Sequence, residues 1–153
     1  MIYPVIANIQ LAAGVAKTAI RLTTVASRRA RIVRVKIVDQ SVTATDVAIA
    51  CRITRAAGTE GSGTAYTPPL EFGSASGTVL STVKINYTTE GTVGTPDVLD
   101  TLACPTGSFV DVVYDGPEDY KISCAPSSNI SVILQSASAR AVDILVAVWI
   151  RED

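Results

Sequence analysis

The sequence predicts an all-β chain, a single-domain antiparallel β-sandwich, jelly-roll-like, of roughly eight to ten strands. Three observations predict it. Residues 140–151 read Arg-Ala-Val-Asp-Ile-Leu-Val-Ala-Val-Trp-Ile-Arg, with Val142, Ile144, Val146, Val148 and Ile150 on one parity. A period of two held over so many β-branched residues describes a long strand with one face in a core. Short apolar runs follow one another along the chain with turn residues between them, the pattern of sandwiches and barrels. No segment holds a 3.6-residue apolar period; 15–22 comes nearest, and its Thr and Ile favour strand.

Each element has its own signal. Ile2–Gln10 is a strand, or an N-terminal arm within residues 1–14, broken by Ala12-Ala13-Gly14; Lys17–Val25 follows. Ala30–Asp39 places Val33, Val35 and Ile37 on one face and Arg34 and Lys36 on the other. Asp46–Arg55 alternates Val47, Ile49, Cys51 and Ile53 with Ala48, Ala50, Arg52 and Thr54. Residues 56–77 contain five glycines and Pro68-Pro69, and are expected to project as one long loop. Thr78–Tyr87 is the next strand, and Thr88–Pro96, with Gly91 and Gly94, a second loop. Val98–Ala103, Phe109–Tyr114, Tyr120–Cys124 and Ile130–Ser136 complete the series. The terminal strand, flanked by charge, is expected at the centre of a sheet.

Composition limits the function. The 153 residues are 48% hydrophobic and only 18% charged, with a net charge of −1. The usual charged share is about 25%; so little charge on a small domain favours self-association. Near-neutrality offers no general attraction to nucleic acid or to acidic membranes. No apolar run approaches the ~20 residues that span a bilayer, and Met1–Leu11 lacks the basic start of a secretory leader. Cys51 shares the apolar parity of its strand and reads as a buried thiol. Cys104 and Cys124 can pair only if their strands are neighbours, and the odd cysteine count points to a reduced, intracellular origin.

Histidine is absent, which excludes Ser-His-Asp and Cys-His catalysis and histidine-based metal sites. No C-x-x-C spacing and no glycine-rich phosphate loop occurs. No catalytic residue, cofactor or metal is therefore assigned. Two constellations remain. Arg28, Arg29, Arg31, Arg34 and Lys36 form a dense basic run: a solvated strand face and turn first, then a contact for phosphate or an acidic partner, and last for nucleic acid, against which the lack of interleaved aromatics counts. Asp111, Asp115, Glu118 and Asp119 surround Gly116-Pro117; they are a solvated turn, a calcium-binding or partner-contact loop or, last, a carboxylate pair of glycosidase type. Trp149, the only tryptophan, is expected in the core or at an interface.

The order of features also carries a resemblance. Lys17-Thr18-Ala19-Ile20-Arg21-Leu22 leads to Arg28-Arg29-Ala30-Arg31-Ile32-Val33. A strand then ends in Arg52-Ile53-Thr54-Arg55 before Gly58-Thr59 and Thr67-Pro68. Ala125-Pro126 precedes a strand, and the chain closes on Trp149-Ile150-Arg151-Glu152. From about residue 15 onward this resembles a group of small bacteriophage virion structural proteins, capsid-decoration or cement-like, with a jelly-roll-type β-sandwich. Members often carry Thr-x-Glu-Pro after the long loop; here Thr88-Thr89-Glu90-Gly91 has glycine in the last place.

The resemblance implies a non-enzymatic protein that oligomerises, with a homotrimer favoured. It would bind the major capsid protein on the outer surface of the phage head after synthesis in the host cytoplasm. Contacts to an acidic capsid surface would fall to Arg28, Arg29, Arg31, Arg34, Lys36 and Trp149. Two other readings are kept. A glycan- or receptor-binding sandwich of fibre-head type needs an exposed aromatic platform, for which Tyr66 is the best loop candidate. A small jelly-roll capsid protein commonly has a basic arm, yet the first sixteen residues contain no Lys or Arg.

Overall fold

Alternation of apolar and polar residues builds eleven strands among the described residues. The structure is a computed structural model describing residues 1–41, 47–55, 59–69, 79, 81–91, 97–114 and 122–153, the side chains of 141 and 142 excepted. In chain order the strands are β1 (Ile2–Leu11), β2 (Lys17–Thr23), β3 (Ala30–Asp39), β4 (Ile49–Arg55), β5 (Ser62–Tyr66) and β6 (Thr82–Thr89). They continue with β7 (Asp97–Cys104), β8 (Phe109–Val113), β9 (Ile122–Cys124), β10 (Asn129–Gln135) and β11 (Arg140–Glu152).

The strands form two antiparallel sheets. One runs β1-β11-β3-β8, with β9 also paired to β3; the other runs β5-β6-β2-β10-β4-β7. β8 pairs with residues 34–38 of β3 and β9 with residues 30–32, so the two lie end to end along one edge. Counting them as one interrupted strand, and setting the β5–β6 hairpin apart, leaves eight strands. Numbered in chain order, these are arranged 1-8-3-6 and 2-7-4-5, the connectivity of a jelly roll. β11 is central, hydrogen-bonded to β1 on one side and β3 on the other.

The core lies between the sheets. Tyr3, Val5, Ala7 and Ile9 of β1, Ile144, Val146, Val148 and Ile150 of β11, and Val35 and Ile37 of β3 are buried from one side. Ile20 and Leu22, Ile49, Cys51 and Ile53, and Ile130, Val132 and Leu134 meet them from the other. Burying one such aliphatic side chain is worth about 1.5–3 kcal/mol, so the faces that alternate most strictly hold the sandwich together. Cys51, Cys104 and Cys124 are all buried free thiols; Cys104 and Cys124 are not bridged.

Two expectations change. In β3 the parity slips: Trp149 pairs with Arg34 but Ile150 with Ile32, so Val33 is bulged out of the ladder. A bulge moves one residue to the other face, and Ile32 rather than Val33 joins Val35 and Ile37 in the core. The segment 56–77 is not one projecting loop. Its residues 62–66 form β5, the edge strand beside β6, while 56–58 and 70–77 lie outside the described residues.

Glycine makes this second arrangement fit. A Cβ on Gly63 would stand 2.6 Å from the Tyr87 ring. A Cβ on Gly61 would meet the Thr89 carbonyl at 2.0 Å, and one on Gly91 the Thr59 carbonyl at 2.0 Å. The glycines allow close approach of two strands, which their density in the sequence disguises as a loop.

Candidate functional site

The face of the first sheet that turns away from the core carries three of the five exposed large apolar side chains among the described residues. Cross-strand pairing arranges it in rows. Pro4, Trp149, Arg34 and Val113 form one row; Ile6, Ala147, Lys36 and Asp111 the next; Asn8, Leu145, Val38 and Phe109 a third. Ile6, Phe109 and Val113 are 42%, 62% and 61% exposed, well above what an inward-facing position shows. The face is therefore an apolar field with a few charges set in it.

Those charges are largely matched. Arg34 donates from Nε to Asp111 Oδ1 at 2.8 Å and from a terminal nitrogen to Oδ2 at 2.6 Å, a two-pronged pair. Its guanidinium carbon lies 4.7 Å from the Trp149 ring centroid. Lys36 Nζ sits 5.9 Å from the Phe109 ring centroid. The hydrogen bond from Arg34 and, after it, the positive charges of Arg34 and Lys36 hold the Asp111 carboxyl below the usual carboxylate range. Trp149 is half-buried on this outer face, not in the core.

The basic run thus divides. Arg34 and Lys36 belong to the outer face, whereas Arg28 and Arg29 are exposed in the β2–β3 turn. Arg31 is paired with Asp153 at 2.5 Å. Arg29 and Arg31 join Arg55, a residue the sequence reading did not single out, around a cavity of about 340 Å³ that also touches Ser123, Cys124 and Ala125. Arg55 lies twenty-four residues beyond Arg31, so only the meeting of β3, β4 and β9 at one end of the sandwich brings them together. The acidic constellation also divides: Asp111 is Arg34's partner, and Asp115, Glu118 and Asp119 lie outside the described residues.

Polar groups elsewhere are structural. Arg140 is buried with Asp39, Nε to Oδ2 at 3.5 Å, and donates to the Val47 carbonyl at 2.6 Å. Burial pushes the Asp39 carboxyl up, but hydrogen bonds from Ser41 and Gly107 and the Arg140 charge outweigh it, and the net direction is down. Tyr3 donates to Glu152 Oε1 at 2.9 Å, and the Ser81 N–H meets the same oxygen at 3.0 Å. A second cavity, of about 440 Å³, opens between Leu11, Val15, Lys17, Tyr87, Glu90 and Arg140. Its Glu90 accepts from the Thr18 backbone N–H at 2.7 Å and from the Thr18 hydroxyl at 2.5 Å. Among the described residues no three Cys, Asp or Glu side chains gather as a metal site, and no helix is long and apolar enough to cross a membrane.

No family model, curated protein or solved structure matches this chain.

Proposed function

We propose that this chain is a non-enzymatic virion structural protein of the capsid-decoration type, which oligomerises and attaches to the head shell. The observation that carries the reading is the outer face of β1-β11-β3-β8, where Ile6, Phe109 and Val113 stand exposed around the Arg34–Asp111 pair. Large apolar side chains gathered on one outward face are characteristic of contact surfaces. A chain with 18% charged residues has little else to keep copies apart. The occupant of this face is a second copy of the chain, and a trimer is the favoured assembly. Attachment to the shell then falls to the arginines at the sandwich end, with several weak contacts per oligomer adding to firm binding.

Light scattering over a dilution series tests the first half, and co-sedimentation with phage head shells the second. A trimer that persists on dilution, reduced to monomer by Phe109→Ser with Val113→Ser, supports the reading. A wild-type monomer at every concentration that also fails to pellet with shells overturns it. Binding of that monomer to immobilised glycans would instead favour the receptor-binding alternative.

A further inference from the structure

The cavity at the sandwich end is lined by three arginines, one from each sheet and one from a turn. Arg31 is in β3, Arg29 in the turn before it, and Arg55 closes β4. Arg55 donates to the Ser123 carbonyl at 3.1 Å and meets Asp97 at 3.3 Å. That ion pair is exposed, with Asp97 65% accessible, and exposed pairs of this kind hold weakly. The Arg55 Nε is buried and has no acceptor among the described residues. Among them Arg29 likewise has no carboxylate within ion-pair distance. A donor without an acceptor is costly to bury, and the rest of the Arg55 side chain, 40% exposed, lines a cavity of about 340 Å³.

We propose that this cavity is a carboxylate-binding site whose occupant is an aspartate or glutamate side chain of an acidic polypeptide segment. The planar fork of an arginine matches a carboxylate edge, and Arg31 already holds one, that of Asp153. The wall argues against phosphate. Arginine forks take phosphate as well, but many phosphate sites add converging backbone N–H groups. At this cavity the Arg29 carbonyl accepts from the Asp153 N–H and the Ser123 carbonyl accepts from Arg55. Carbonyl oxygens repel a dianion more than a single carboxylate. The inference rests on the proposed function only for the source of the acidic segment, which would be a shell protein.

The test is a titration of the full-length, nitrogen-15-labelled chain, first with a short polyglutamate peptide and separately with inorganic phosphate. The arginine Nε–H signals report the site. The expected result is saturable movement of the Arg29 and Arg55 signals with the peptide. Affinity should fall about tenfold or more in Arg55→Gln, the loss of one charge-assisted hydrogen bond, and partly in Arg55→Lys. Arg29→Gln, in an exposed turn, gives a second variant whose folding is not at stake. A response to phosphate that equals or exceeds the peptide's overturns the carboxylate assignment. No response to either probe overturns the site. The titration needs neither oligomer nor shell, so it fails or succeeds apart from the assembly reading.

Discussion

Arg34 lies across the β3–β11 ladder from Trp149 and holds its guanidinium 4.7 Å from the indole centroid. The same group reaches diagonally to Asp111 on β8. One arginine therefore connects three strands on the sheet's outer face and covers one side of the indole.

Because Trp149 is the only tryptophan, its emission reports this contact. Arg34→Ala is expected to expose the ring and shift the emission maximum to longer wavelength, with the melting temperature little changed. Asp111→Asn should give a smaller shift, since the stack remains but loses its anchor. An unchanged spectrum in Arg34→Ala would show that the stack does not persist in solution.

Gly63 marks where β5 crowds the Tyr87 ring. Gly63→Ala is expected to destabilise the chain by about 1–3 kcal/mol, the usual cost of overpacking, as measured by urea unfolding. Pairing it with Tyr87→Leu should return part of that loss, because the methyl group then has room. The Tyr87 hydroxyl donates to Glu60 at 2.8 Å, so the double variant will not recover it all.

Acid should loosen the buried Asp39–Arg140 pair. A carboxyl whose folded pKa lies below its unfolded value of about 3.9 stabilises the fold above that pH. The contribution is lost as the pH falls through the folded value. Asp39→Asn is expected to cost on the order of 3 kcal/mol near neutrality, since it leaves Arg140 charged and buried. It should also flatten the dependence of stability on pH below about 4. Chemical unfolding of both proteins across that range measures the two effects.

The thiols should be silent in the folded chain. Burial first, then the neighbouring Asp100 and Cys104, pushes the Cys51 thiol up to about 12; burial also raises those of Cys104 and Cys124. A thiol-reactive disulfide reagent at mildly alkaline pH should find none of the three reactive until denaturant is added. Fast labelling of native protein would place at least one of them at the surface.

The sequence by itself determined the class of fold, because side-chain alternation is a local property. Ile144, Val146, Val148 and Ile150 declare their inward face without reference to any neighbour, as do Ile49, Cys51 and Ile53. Tertiary structure decided whatever depended on pairing between distant strands. The β3 bulge at Val33 exists only against β11, and β5 lies close beside β6 where the missing Cβ of Gly63 leaves room for the Tyr87 ring. The candidate sites follow the same division. Arg34 and Lys36 were legible as an outward pair, but their match to Asp111, about seventy-five residues later, required β8 alongside β3. Likewise the basic run read as one patch, yet Arg34 sits beside β8 while Arg31, beyond the Val33 bulge on the same outward side of β3, and Arg29 in the turn line a cavity with Arg55 at the end of the sandwich. Parity along a strand sets which way a side chain points; the order of strands in the sheet sets what it meets.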